Sequence, residues 1–329
     1  MITPNDYRMP AEWEPQSGVQ LTWPHSDTDW APMLDEVTAT YREMASEIRR
    51  REPLLIVGPP SNDTWARDHG FISLVNGEGR VRLLDFCFNG WGEKFAAEKD
   101  NAINRRLFDA GTLRGEYVDH LDFVLEGGSI ESDGRGTIFT TSCCLLAPHR
   151  NQPLTKDEIE GRLKEYLCAE RILWIDHGHL AGDDTDGHID TLVRIAPDDT
   201  LLYIACDDEH DEHYADLRMM EEQLQSFRTI DGRPYRLLPL PMPYPIYDED
   251  GQRLPATYAN FLVVNGAVLC PTYRQPELDQ QAMAIIGKAF PSRDIVGIDC
   301  CSLIRQHGSL HCCTMQFPPS VVALQAEGM

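Results

Sequence analysis

One pattern recurs along the 329 residues and restricts the fold more than any other feature. Two β-rich runs are joined by a turn, followed by an amphipathic helix and then a short apolar run. FISLVNGEGRVRLLDF at 71–86 turns at Asn76-Gly77, and SIESDGRGTIFTT at 129–141 turns at Asp133-Gly134. DTLVRIAPDDTLLYIAC at 190–206 turns at Pro197-Asp198-Asp199, and YANFLVVNGAVLCPTY at 258–273 turns at Asn265-Gly266. Asn-Gly and Asp-Gly between β-rich runs signal hairpins, because both central positions accept positive φ. Helices are expected at 94–109, 155–168, 212–227 and 276–290. The second opens on Thr155-Lys156-Asp157-Glu158, a capping box, and the last has Pro276 at its first position. Apolar strands follow at 115–118, 171–175, 235–240 and 294–298.

A fifth copy is split between the two ends. GVQLTWP at 18–24 precedes a helix at 33–50 and the strand LLIVG at 54–58. LHCCTMQF at 310–317 supplies the missing hairpin partner, and pairing it with 18–24 hides two sheet edges. Five ββαβ units of about 50–70 residues around a pseudo-axis, forming one domain over 1–329, is the expected α/β architecture. An open α/β sheet with two subdomains is the alternative.

Charge limits the partners. With 53 acidic and 29 basic side chains the net charge is -24, so the mean field repels phosphate and draws in small cations. Nucleic acid is excluded as a partner. No apolar run approaches the roughly 18 residues that cross a bilayer, which excludes a spanning helix. The start Met1–Asp6 has neither a basic region nor an apolar run, so a reducing cytoplasm is the expectation, with the ten Cys as free thiols. No C-x-x-C occurs, and oligomeric state, a homo-oligomer included, stays open.

Reactive side chains recur at one phase of the repeat, the entry to each hairpin. Asp68 stands before the first, Glu126 before the second, His188 and Asp190 at the third, Asn260 at the fourth, and His311 and Cys312 at the closing strand. Rotation about a common axis would bring them into one cleft. Each alone also fits a bland role. Glu126 suits an exposed turn, Arg67 and Asp68 an ion pair, His188 and Asp190 a surface pair on one strand face, and Cys312 a buried hydrophobe. His210 and His213, in an acidic run, read as a solvated helix start. Trp23, Trp65 and Trp91 default to core.

The ordered motifs Met9–Pro15, Thr22-Trp23-Pro24, Asn62–Asp68, Phe88–Gly92, Leu125–Ser129, Gly187–Asp190, Tyr258–Phe261 and His311-Cys312 span nearly the whole chain. In them the sequence resembles the agmatine deiminase and bacterial-type peptidyl-arginine deiminase family of guanidine-modifying enzymes. The resemblance implies a five-bladed αβ-propeller. It implies Cys312 as nucleophile, His188 as general acid and base, and Asp68, Glu126 and Asp190 as carboxylates that hold a guanidinium. Two positions depart from the family pattern: Gln306–Leu310, the lead-in to His311-Cys312, and Phe71.

Carboxylates match the planar N–H forks of a guanidinium, and a thiolate is a strong nucleophile near neutral pH. The chemistry requires no metal and no organic cofactor. Agmatine ends in a second cation, so acids and aromatic faces suit its far end. Trp65, Trp91, Asp186 and Asn260 are the expected substrate-binding residues. Deimination of agmatine is the expectation, ahead of peptidyl-arginine deimination. A guanidine-binding protein without turnover, and a metal-dependent hydrolase built on His177, His179 and His188, are the rivals.

Overall fold

The structure, a computed structural model, describes residues 7–323. The Met1–Asp6 segment read above therefore lies outside the described residues. Within them the fold is mixed α/β, with five three-stranded sheets of one design. In each, an antiparallel pair is extended by a third strand parallel to the second. Ile72–Val75, Val81–Cys87 and Glu116–Val124 form one. Ile130–Ser132, Thr137–Thr141 and Arg171–Ile175 form the next. Val193–Ala196, Thr200–Ala205 and Arg236–Pro241 form another, and Leu262–Val264, Ala267–Thr272 and Asp294–Asp299 the fourth.

The fifth sheet joins the ends of the chain as expected. Gly18–Thr22 pairs antiparallel with Thr314–Phe317, from Gly18 opposite Phe317 to Leu21 opposite Thr314, and parallel with Leu54–Val57. Each second strand reaches its parallel partner through a helix, because two parallel strands cannot be joined by a tight turn.

Local chemistry explains most element boundaries. Helix Lys156–Tyr166 starts at Thr155, whose side chain and that of Glu158 exchange bonds with each other's backbone N–H. Pro276 opens helix Pro276–Ala289, and the Asp279 carboxylate accepts the N–H groups of Tyr273 and Gln275. Helix Leu34–Arg49 buries Val37, Thr40, Tyr41, Met44, Ala45 and Ile48, the stripe expected of a 3.6-residue period.

The helix expected over 94–109 is confined to Ile103–Asp109. Upstream, polar side chains compete for the backbone: Asn101 accepts the N–H of Phe88, and Asp100 accepts those of Asn62 and Asp63. Nor is the loop at Asn76-Gly77 a two-residue turn. The Asn76 side chain accepts the N–H groups of Glu78 and Arg80 and stabilises a longer loop. Nor is His213 solvated: it is buried, bonded to Asp211 at 2.6 Å, and accepts the N–H of Ala181.

Candidate active site

Four of the five sheets are entered through a short helical turn, and the reactive residues sit on or beside these turns. Asp68 lies on Ala66–His69, Glu126 just before Gly127–Ser129, His188 and Asp190 at Ile189–Thr191, and Cys312 on His311–Cys313. His188 and Asp190 are therefore not two residues apart on a strand face, and Cys312 is not in a strand. A tight turn holds side chains of consecutive residues in a small volume without giving up the ladder that follows. All five side chains are buried, with His188, Asp190 and Glu126 fully so. The surface-turn and surface-pair alternatives thus fall away.

The pieces meet through specific contacts. His188 Nδ1 stands 3.6 Å from Asp68 Oδ1, which accepts the N–H of Gly128 at 3.1 Å. The indole of Trp91 donates to Asp68 Oδ2 at 3.0 Å. Glycine is required at 128 by close approach: a Cβ there would lie 2.5 Å from His188 Nδ1 and 2.8 Å from Asp68 Oδ1. Asn260 Oδ1 accepts from the Cys312 thiol at 3.4 Å and from the backbone N–H groups of His311 and Cys312. Arg150 donates to Glu126 Oε1 at 2.9 Å and to Asp186 Oδ2 at 2.6 Å, and also to the Thr185 carbonyl.

Several buried polar atoms have no partner: both ring nitrogens of His188, Glu126 Oε2 and Asp190 Oδ1. Such atoms each cost on the order of 1–3 kcal/mol unless something occupies the space between them. A cationic, planar, multi-donor group would satisfy the carboxylate oxygens.

The electrostatics follow from burial among like charges. Burial raises the Asp68 carboxyl, His188 opposes, Asp190 and Glu126 reinforce, and the result is about 6. For His188 burial alone would lower the pKa, but Asp68, Glu126 and Asp190 outweigh it and hold it above the usual imidazole value. Burial, then the charges of Asp190 and Asp68, push the Cys312 thiol well up. Asp190 lies below its ordinary value, because His311, His188 and Arg194 outweigh the cost of burial.

A cleft of about 320 Å³ opens over Cys312 and Asp68. Its walls include Trp65, Trp91, Phe95, Asp29, Asp63 and Asp184. Trp65 and Trp91 thus line the cleft. Asp186 does not face an open cleft end: Arg150 and Lys94, the latter at 2.8 Å, take its carboxylate. Asn260 holds the sulfur and the turn that carries it. The departing lead-in wraps the mouth, with His307 in a left-handed conformation, its Nδ1 2.7 Å from the Gly182 carbonyl, and Gly308 flat against the Trp65 ring. Phe71 is core, edge-on to Tyr117.

Arg150 was not singled out by the sequence. It lies in an irregular stretch between Pro148-His149 and Asn151-Gln152, where no motif or local charge pattern marks it. His177 and His179 face Asp216 instead of His188, at 3.8 and 2.7 Å. Among the described residues, two groups have ligand-like spacing: the buried Glu126–Cys144–His188, and Glu12–Glu131–His311, in which Glu12 is half-buried. Their carboxylates already carry arginines, Arg150 on Glu126 and Arg194 on Glu12 and Glu131, which place positive charge where a cation would bind.

Known proteins resemble this chain throughout. Residues 8–318 match the family model of Porphyromonas-type peptidyl-arginine deiminase. The agmatine deiminase of Pseudomonas aeruginosa is 33% identical, over 95% of this chain and 95% of its own. The solved structure of a Porphyromonas gingivalis protein, provisionally designated an arginine deiminase, is 49% identical with a TM-score of 0.92, over 97% of this chain and 100% of that one. A C. jejuni agmatine deiminase with a Cys-to-Ser change and substrate bound is 37% identical with a TM-score of 0.90, over 97% and 99% of the two chains.

Proposed function

Because the chain belongs to the Porphyromonas-type peptidyl-arginine deiminase family, we propose that it hydrolyses the guanidine of agmatine to N-carbamoylputrescine and ammonia. The single observation that carries this is that Glu126, Asp190 and His188 keep buried, unpartnered polar atoms in a molecule whose Cys312 thiol is also buried. We read the five like sheets as five blades of one αβ-propeller domain, with the entry turns facing its axis.

The carboxylates of Glu126 and Asp190 hold the guanidinium plane, and Asp68 anchors His188 beside it. The bound cation offsets the acids that raise the Cys312 thiol, so substrate favours the thiolate. The sulfur adds to the guanidinium carbon and gives a neutral tetrahedral adduct. Protonated His188 gives its proton to one nitrogen, the C–N bond breaks, and ammonia leaves. An S-linked amidinium remains on Cys312. Neutral His188 then takes a proton from water as the oxygen adds. Collapse expels the sulfur and leaves a urea, and the remaining proton returns to the sulfur or to solvent. Every proton and electron pair is accounted for without a metal or cofactor.

The cleft wall selects the far end. Asp29, Asp63 and Asp184 line it beside Trp65, Trp91 and Phe95, and no Lys or Arg is among its described lining residues. That wall suits a primary ammonium and repels the carboxylate of free arginine. Asp184 and its neighbours thereby take the role the sequence gave to Asp186. Ammonia release from agmatine, free arginine and an arginyl peptide tests the choice. We expect the highest kcat/KM for agmatine and none of the turnover in Cys312→Ser. Turnover of the peptide without turnover of agmatine reverses the assignment to peptidyl-arginine. Guanidine binding without ammonia would mean a binding protein.

A further inference from the structure

Arg150 takes part in no step of the mechanism above, yet its guanidinium sits where three segments of the site meet. Its side chain is fully buried. Nε donates to Glu126 Oε1 at 2.9 Å, Nη1 to Asp186 Oδ2 at 2.6 Å, and Nη2 to the Thr185 carbonyl at 2.8 Å. The same Asp186 oxygen lies 2.8 Å from the Lys94 ammonium, which also donates to the Asp184 carbonyl at 2.6 Å. A chain of alternating charges, Glu126–Arg150–Asp186–Lys94, therefore runs from the acid that holds the guanidinium to the mouth of the cleft. From this geometry we infer that Arg150 is a positioning residue that couples the two ends of the substrate site, fixing Glu126 for the guanidinium and the segment 183–187 for the far ammonium.

Each end gains a defined geometry. At the reactive end the bond from Nε occupies Glu126 Oε1 and leaves Oε2 the unpartnered oxygen. At the mouth, the segment 183–187 carries Asp184, a wall of the cleft, and runs directly into His188. Its shape comes from within: the Asp183 carboxylate accepts the N–H groups of Thr185 and Gly187, and the Thr185 hydroxyl accepts that of His188. Arg150 and Lys94 tie this shaped segment to the loops that face it. Asp186 has a φ of 65°, which a residue other than glycine keeps only where its surroundings hold it, and here two cations grip its carboxylate.

The third segment is the loop that bears Trp91. A Cβ at Gly92 would lie 3.1 Å from Arg150 Nη1 and 2.9 Å from the Pro148 carbonyl oxygen, so this loop rests against the guanidinium. Trp91, one residue earlier, donates to Asp68. An arginine suits this place. It stays charged, and its donors lie in one rigid plane, so three acceptors on two segments fix its orientation and it fixes theirs. A lysine ammonium is a point charge on a flexible stem and sets no plane.

The inference rests on the proposed deimination, and its test separates the two. Two substrates read the two ends: agmatine, and butylguanidine, which has the same guanidine and carbon chain without the amine. In the wild type agmatine should lead by at least about tenfold in kcat/KM, the scale of one charge-assisted contact. In Arg150→Gln, kcat on butylguanidine should fall about 10²-fold, the scale of a group misplaced by near 1 Å, and the lead of agmatine should shrink toward parity. A loss of folded protein alone lowers both substrates alike and leaves their ratio untouched. Asp186→Ala, at a half-buried position, serves in its place should Arg150→Gln not fold, with the same two changes expected in smaller measure. Because butylguanidine has no charge at its far end, its loss in Asp186→Ala reports on Arg150 and Glu126. A folded variant that keeps the wild-type ratio overturns the inference, and so does one with wild-type kcat on butylguanidine. Hydrogen exchange of the segment 183–187 needs no substrate and should quicken in either variant; unchanged exchange also overturns it. Should the wild type release no ammonia from agmatine while exchange quickens in the variants, the substrate assignment fails and the anchoring by Arg150 stands.

Discussion

Replacing Gly128 by alanine should disable the site while leaving the fold in place. The new Cβ would lie 2.5 Å from His188 Nδ1 and 2.8 Å from Asp68 Oδ1. Ordinary contact begins near 3.4 Å, so the imidazole must retreat by about 0.9 Å and the carboxylate by about 0.6 Å. Both groups are buried, and the Trp91 indole holds Asp68, so moving either one disturbs the contact that orients His188. Overpacking of this kind costs about 1–3 kcal/mol of stability. A displacement near 1 Å at the acid–base group costs about 10²-fold in rate. The assay is ammonia release at several agmatine concentrations, run beside a thermal melt. Gly128→Ala should lose about 10²-fold in kcat/KM with a melting temperature lowered by only a few degrees. A folded variant within twofold of wild-type kcat/KM would show that the close packing of Gly128 on His188 does not position the acid–base group.

Three further perturbations probe the electrostatics. Arg150→Met leaves Glu126 as an unpaired buried charge and should lower stability by about 3–5 kcal/mol, read as a lower denaturant midpoint; adding Glu126→Gln should recover part of that loss, and additive effects would argue against a coupled pair. The acid limb of kcat/KM should fall as pH drops through about 6, where Asp68 takes a proton; Trp91→Phe removes a donor that favours the carboxylate, so the limb should move to higher pH, and an unmoved limb assigns it to another group. Glu52 is buried with one unpartnered oxygen, and burial lifts its carboxyl to about 7. The folded chain then holds this proton more tightly than the unfolded chain, so its contribution is complete below about 4.5 and is lost as pH rises through about 7. Glu52→Gln should flatten that part of the stability–pH curve, and an identical slope in the two proteins contradicts it.

Much of the fold is legible because its signals are local. The Thr155–Glu158 capping box, Pro276 and the apolar run 171–175 each fix an element without help from distant residues. The register of the reactive residues is legible through repetition, since the same phase carries Asp68, Glu126, His188 and Cys312. What is not legible depends on partners far away in sequence. Arg150 becomes central only because Glu126 and Asp186 close on it from two other segments. Asp186 is drawn to Arg150 and Lys94 for the same reason. The turns Ile189–Thr191 and His311–Cys313 read as strand because a 3₁₀ turn of three residues leaves no periodicity to detect. His213 reads as solvated because its acidic neighbours dominate the local composition, whereas Asp211 and the Ala181 N–H bury it.

The central claim is that Cys312 attacks the guanidinium while His188 supplies the proton. Acid quench during turnover of agmatine, followed by mass spectrometry of the digested chain, tests it most directly. We predict an amidino adduct on the peptide bearing Cys312, located on that sulfur, absent in Cys312→Ala and chased by water in the wild type. Steady turnover with no adduct, or an adduct on Cys144 or Cys313 instead, would contradict it.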